Sequence, residues 1–282
     1  MTQIALNDEI SMTDRPAGVV RKTQAANFHR ILGIDFFDGS ARAAIALMRE
    51  GGLLVIPAAP ALKDLDTNRD YRDALVNADL AITDSAFMVL IWNRLQPKPI
   101  RRLSGLEYLR VLLLEPSVRR PDNTVWIMAS PNSAERNRAW LQRQGITTPD
   151  EHIYLAPMYT AVSCAEFEEA GSSLSDPVLL ERLERLRPQH IIVTIGGGTQ
   201  ERLGLYLKRN LSYRPAIHCV GAAIAFLSGD QVYIPTWADR YYLGWLFRSI
   251  SEPKRYGPRY WGARKLLDLM RRNRSHLPPL KS

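Results

Sequence analysis

Between residues 31 and 236, short apolar runs alternate with longer amphipathic stretches. The runs Leu53–Ile56, Leu80–Thr83, Val125–Met128, Ile153–Leu155, His190–Ile195 and Ile217–Val220 have the length and composition of buried strands. Between them, apolar residues recur at helical spacing over Tyr71–Val76, Ala86–Leu95, Gly105–Leu113, Ala134–Gln144, Pro177–Leu186 and Gln200–Arg209. Strand and helix in repetition predict an α/β fold: a mainly parallel, Rossmann-like sheet with helices on both faces.

The two ends differ from this core. Residues 1–30 are polar and unpatterned and are expected to form a flexible N-terminal arm. Pro235 and a shift in charge near Trp237 set the other boundary. This gives a catalytic-type core over 31–236 and an appendage over 237–282. The appendage carries eleven Lys and Arg but only Asp239, Glu252 and Asp268 as acids, so the chain's whole net charge of +8 lies there. Tyr241, Tyr242, Trp245, Phe247, Tyr256, Tyr260 and Trp261 are interleaved with those cations. Two or three short amphipathic helices are expected, broken at Pro253 and at Gly257-Pro258. Such a segment suits an anionic lipid surface, a nucleic acid or a diphosphate ligand.

Composition excludes other classes. Cys164 and Cys219 are too few for a disulfide framework and match no zinc spacing. The opening residues lack a basic segment followed by an apolar run, and no stretch reaches the roughly 18 apolar residues of a membrane span. A cytoplasmic protein is expected.

In a parallel sheet, ligands bind beyond the carboxyl ends of the strands. Three strand ends here are chemically suggestive. Asp84, in Ile-Thr-Asp-Ser, falls between a strand and an apolar helix. It suits either a helix cap or a general base aimed into a cleft. Gly196, Gly197 and Gly198 follow a buried strand and precede a helix. They suit either a tight turn capped by Thr199 or a close backbone approach to a phosphate at a helix N-terminus. Val220-Gly-Ala-Ala223 offers small residues for close packing or ligand approach. Asp64-Leu65-Asp66 has the D-x-D form of metal-binding sugar-nucleotide enzymes, yet reads better as a solvated face. The five histidines show no ligand spacing.

Taken in order, these pieces resemble the WecG/TagA/CpsF family of bacterial glycosyltransferases over residues 50–262. The elements are Tyr-Arg-Asp-Ala-Leu-x-x-Ala-Asp-Leu at 71–80, Asp84, Arg102-Leu-Ser-Gly105, Gly196-Gly-Gly-Thr-Gln-Glu201 and Val220-Gly-Ala-Ala223. They continue with Trp245-Leu-Phe-Arg248, Glu252-Pro-Lys-Arg255 and Arg259-Tyr260. Their order and spacing, rather than any single piece, carry the resemblance.

The resemblance implies a metal-independent, cofactor-free, inverting transfer of a hexose or N-acetylhexosamine. The donor is a UDP-sugar and the acceptor a polyprenyl-diphosphate-linked saccharide. The enzyme would work peripherally on the anionic inner face of the cell membrane. It further implies that Asp84 is the base, that Gln200 lines the site with Gly196, Gly197, Gly198, Thr199 and Gly221, and that Arg102, Arg248, Arg255 and Arg259 face the diphosphates. Self-association into a homo-oligomer stays open.

The chain also departs from the family pattern. Ile56-Pro57-Ala58 stands where Thr-x-Asn is usual, Ser85 where Gly is usual, Glu107 and Ala225 where Asp is usual, and Gly244 where Glu is usual. The first change removes a hydroxyl and an amide from the substrate's surroundings, which points to an altered donor or to a non-catalytic scaffold. A nucleic-acid binder is the rival reading of the basic tail. The balanced charge of the core argues against it, and no nucleic-acid partner is expected.

Overall fold

A computed structural model of the chain describes residues 27–159, 174–229, 262 and 264–281. Among them, eight strands form one sheet: β1 (Asn27–Ile31), β2 (Ile34–Asp38), β3 (Gly52–Val55), β4 (Leu80–Ala81), β5 (Thr124–Met128), β6 (Ile153–Leu155), β7 (His190–Val193) and β8 (Ala216–Cys219). The spatial order is β1-β2-β4-β3-β8-β7-β5-β6. β1 and β2 form an antiparallel hairpin, and every other pairing is parallel. The central strands β3, β5, β7 and β8 are buried at every position, as strands covered on both faces must be.

The helices are α1 (Ala41–Met48), α2 (Ala59–Leu62), α3 (Arg69–Val76), α4 (Ala86–Leu95), α5 (Gly105–Leu112), α6 (Pro116–Arg119), α7 (Pro131–Arg143), α8 (Pro177–Leu186), α9 (Thr199–Asn210), α10 (Ala223–Ser228) and α11 (Arg264–Asn273). They divide between the two faces. Leu53 and Val55 of β3 join a core with Tyr71 of α3, Met88 of α4, Leu179 of α8 and Leu203 of α9. Their neighbour Leu54 points the other way, into a second core with Ala44 of α1, Leu109 of α5, Leu141 of α7 and Ile224 of α10. Several helices start on a side-chain cap: Ser40, Asn68, Ser104 and Asp176 each accept an N–H from the first turn.

The alternation of strand and helix thus predicts the architecture, with local differences. Asn27–Arg30, expected in the arm, form most of β1, and residues 1–26 lie outside the described residues. Thr83, Thr194, Ile195 and Val220, expected within strands, lie past the last paired residues, where the chain leaves the sheet and turns. The hairpin, α1, α2 and α6 have no counterpart among the elements expected from the pattern, while α11 falls after Gly257-Pro258 in the segment where short amphipathic helices are expected. In α11, Leu266, Leu269 and Met270 sit at helical spacing and are buried in the core that also holds Met88 and Val89 of α4. After α11 the chain closes on the hairpin, where Leu32 N donates to Arg274 O at 2.8 Å and Gly33 N to Ser275 O at 3.0 Å. The end of the basic segment is therefore part of the core, while the expected boundary at residue 237 lies outside the described residues.

Candidate active site

The carboxyl ends of β4, β3, β8 and β7, four consecutive strands, open into one cleft of about 670 Å³. This is the position where open α/β sheets take their ligands. Each wall follows from a local feature of the sequence.

On the β4 side, Thr83 pins the strand end to the following loop. Its hydroxyl donates to Arg101 O at 2.7 Å and accepts Leu103 N at 3.0 Å. Asp84 then faces the cleft, and Ser85, not Asp84, caps α4 by accepting Met88 N at 3.2 Å. The cap reading of Asp84 is thereby excluded, because a hydroxyl one residue later does that work. Asp84 Oδ1 accepts Gly105 N, in the first turn of α5, at 3.0 Å. Arg102 brackets the same residue: its Nε donates to Asp84 O at 2.6 Å, and its Nη2 lies 3.6 Å from Oδ1. With its side chain 30% exposed, Asp84 is reachable from the cleft and yet anchored.

On the β7 side, Gly196, Gly197 and Gly198 line the cleft, and a Cβ built on any of them would meet no atom within 4 Å. Gly198 has φ +90°, a conformation that side-chain-bearing residues rarely adopt, so glycine is needed there for backbone reasons. Gly198 is also the residue that caps α9; Thr199 already lies inside the helix, which corrects the reading of Thr199 as cap. The Gly198 N–H is taken by the Glu201 carboxylate at 2.6 Å, which leaves the amides of Gly196 and Gly197 as the turn's candidates for an anion. Arg202 reaches back to the turn, with Nε donating to Gly198 O at 3.2 Å.

On the β8 side, Gly221 N donates to Gln200 Oε1 at 2.7 Å, and Gln200 Nε2 donates to Glu201 Oε1 at 3.0 Å. Gln200 borders the cleft, but both ends of its amide are engaged within the chain. Glu201 is fully buried, and burial pushes its carboxyl up to about 7 against the opposing bonds from Gln200 and Gly198 and the charge of Arg202.

The structure brings Asp84, Arg102, Gly196, Gly197, Gly198, Thr199, Gln200 and Gly221 to one cleft. Arg248, Arg255 and Arg259 lie outside the described residues. Sequence reasoning missed Lys63, Asn68, Tyr71 and Arg202, which also line it. Arg202 was the findable one, because it stands one helical turn after Gly198 and so faces the same way. Lys63, Asn68 and Tyr71 come from α3 and the segment before it, whose approach to the cleft has no local signature.

Asp64-Leu65-Asp66 is neither a D-x-D metal pair nor a solvated face. Asp64 lines the cleft and pairs with Lys63 at 2.7 Å. Asp66 is buried and lies 2.7 Å from both Lys265 and Lys281 of the C-terminal segment. Burial raises its carboxyl, and the two ammoniums more than offset that, so it ends below its ordinary value. Two of the histidines are structural as well. His190 and His218 stack in the interior at 5.5 Å, and His218 Nδ1 meets Tyr108 OH at 2.8 Å. Burial lowers both imidazoles, His190 to about 4.

Fold and cleft together define a Rossmann-like α/β protein with a ligand site at the carboxyl edge of its sheet. The chain belongs to the Glycosyl transferase WecG/TagA/CpsF family, whose model matches residues 29–277. It is thus a member of a glycosyltransferase family that serves cell-surface polysaccharide synthesis. A search of curated proteins found no match. Among the described residues, no helix is long and apolar enough to cross a membrane.

Proposed function

We propose that the protein is an inverting, metal-independent glycosyltransferase. It moves a hexose or N-acetylhexosamine from a UDP-sugar to a polyprenyl-diphosphate-linked acceptor at the inner face of the membrane. The observation that carries this reading is Asp84: a partly exposed carboxylate, fixed by Gly105 N–H and Arg102, in the same cleft as the open glycine turn.

In this reading the acceptor hydroxyl gives its proton to the Asp84 carboxylate as its oxygen attacks the anomeric carbon. The bond from that carbon to the diphosphate oxygen breaks on the opposite face, so the configuration inverts. UDP leaves with the electron pair. Its charge is met by fixed donors rather than by a divalent ion: the amides of Gly196 and Gly197, together with the cleft-lining cations Arg102, Arg202 and Lys63. By family resemblance Arg248, Arg255 and Arg259 add to this set. Such preorganised charge costs no reorganisation at the moment of reaction.

Ile56, buried against the cleft where the family usually has Thr, supports a donor different from that of its relatives. Its side chain fills the space beside Gly105, at 3.4 Å from where a Cβ would stand. An apolar wall there favours a sugar without a hydrogen-bonding group at that position.

A screen of UDP-hexoses and UDP-N-acetylhexosamines, with lipid-linked acceptor and vesicles present, tests the proposal. At least one donor should be turned over to a product of inverted configuration, at an unchanged rate in EDTA. A retained configuration, or activity lost to EDTA and restored by Mg²⁺ or Mn²⁺, would overturn the mechanism. Absence of any UDP-sugar binding would overturn the donor class.

A further inference from the structure

We propose that Glu201 is a positioning residue: acting through Gln200, it locks the turns that follow β7 and β8 against each other and so fixes the wall of the cleft. The proposal rests on the cleft being the donor site.

Glu201 does not itself reach the cleft, since its side chain is fully buried. Its two oxygens are both used as acceptors. Oε2 takes Gly198 N–H at 2.6 Å and Oε1 takes Gln200 Nε2 at 3.0 Å. Gln200 then passes the constraint on, because its Oε1 takes Gly221 N–H at 2.7 Å. A continuous chain of three hydrogen bonds therefore joins Gly198, after β7, to Gly221, after β8.

The direction of that chain is decided at Glu201. A glutamine amide presents an oxygen at one end and an NH₂ at the other. If Gln200 were reversed, its NH₂ would face the N–H of Gly221, donor against donor. The observed orientation requires an acceptor at the other end, and an ionised carboxylate is acceptor only. Protonating Glu201 places a hydrogen on one of two oxygens that already face N–H groups, which makes that oxygen a poorer acceptor and weakens its link.

The groups that face Glu201 leave this role to it alone. Tyr71 from α3 and Cys219 from β8 are both held neutral by burial. The charge of Asp64 also acts on Tyr71, and Arg202 is the cation whose charge favours ionised Glu201. A buried carboxylate is an expensive way to hold a turn, since a neutral acceptor would carry less desolvation cost. What the carboxylate adds is acceptor character at both oxygens, which sets the amide of Gln200.

The test compares the full-length wild type with Glu201→Gln, Gln200→Ala and the double variant. The readouts are amide hydrogen exchange, thermal midpoint at pH 8, and the donor KM and kcat for whichever UDP-sugar the wild type uses. Glu201→Gln should speed exchange at Gly221, which Glu201 does not touch, and raise donor KM on the order of tenfold, the scale of one charge-assisted hydrogen bond. Its thermal midpoint at pH 8 should not fall. The double variant should be no worse than the poorer single one, since both break the same chain. Exchange altered only near Gly198, with donor KM unchanged, would overturn the proposal. If Glu201→Gln does not fold, Gln200→Ala decides alone: unchanged exchange at Gly221 and unchanged donor KM would sink the idea. If the wild type uses no UDP-sugar, the proposed activity fails, while the exchange readout still judges the lock.

Discussion

Asp84 Oδ1 accepts the N–H of Gly105 at 3.0 Å, so the carboxylate at the end of β4 is held by the first turn of α5. This joins two sequence pieces that lie twenty-one residues apart. It also separates fold from chemistry at this position. In Asp84→Asn the amide oxygen can still accept from Gly105, so folding should be nearly unchanged. The basic oxygen is lost, and removing a general base costs about 10² to 10⁴ in rate. Transfer assays beside thermal melts check this. A variant with wild-type turnover would remove Asp84 from the mechanism.

Asp66 should matter for stability rather than for catalysis. Its carboxyl is buried between Lys265 and Lys281, which tie the C-terminal segment to the loop before α3. Removing both cations leaves a buried charge without a partner. For a fully buried pair that costs roughly 3 to 5 kcal/mol, and solvent around the two lysines reduces it to about 2 kcal/mol here. Lys265→Met with Lys281→Met should therefore lower stability in urea unfolding at pH 7. Because the folded carboxyl sits below its ordinary value, its contribution is present above the unfolded value and is lost as pH falls through the folded one. Asp66→Asn should flatten that acid limb. A double lysine variant as stable as wild type would show that the clamp is idle.

Glu201 has the opposite linkage. Its folded carboxyl lies near 7, above the ordinary 4.5, so the folded state binds more protons between those values. Stability from this group is full below about pH 4.5 and declines as pH rises toward 7, by about 3 kcal/mol in total. The difference between wild type and Glu201→Gln isolates it, because other titrating groups are common to both. Relative to wild type, the variant should gain stability between pH 5 and pH 8. A constant difference across that range would mean that Glu201 does not titrate there.

Much of this site is legible in the amino-acid pattern, and the reason differs by residue. The strand runs and the helical spacing around them specify the sheet, because central parallel strands must be apolar on both faces. Asp84, the glycine turn and Gly221 are visible because they fall just past those runs. The Gln200–Glu201 link is not visible, since it depends on which way a buried amide points. Lys63, Asn68 and Tyr71 are hidden for a similar reason: only the packing of α3 beside α9 brings them to the cleft. Asp66 misleads outright, because its partners lie some two hundred residues away at the other end of the chain. The β1–β2 hairpin escapes notice because its strands alternate only partly: β1, at the sheet edge, buries His29 and Ile31 but exposes Asn27 and Arg30.

The C-terminal cations divide into groups with separable duties. Lys265 and Lys281 are committed to Asp66 and belong to the fold. Arg271, Arg272 and Arg274 are exposed, while the apolar side of α11 is buried in the core. A helix anchored in this way presents its charges outward on a rigid backbone, so only the side chains have to be ordered on binding a surface. Each Lys or Arg near an anionic membrane contributes on the order of 1 kcal/mol, so three acting together give weak, reversible attachment. Changing these three to Gln should release the protein from anionic vesicles, leave its melting unchanged and spare activity on a soluble acceptor. Lys265 must stay in place for that test, because its loss would confuse release with unfolding. Arg255→Ala or Arg259→Ala should instead lower turnover, with vesicle binding little altered, since the proposed mechanism counts both among the cations that meet the diphosphates. Vesicle sedimentation and a soluble-acceptor assay on the same proteins check both halves. If the two sets of variants lost the same property, the tail would have a single role, and the charges of α11 would have to be counted with the active site.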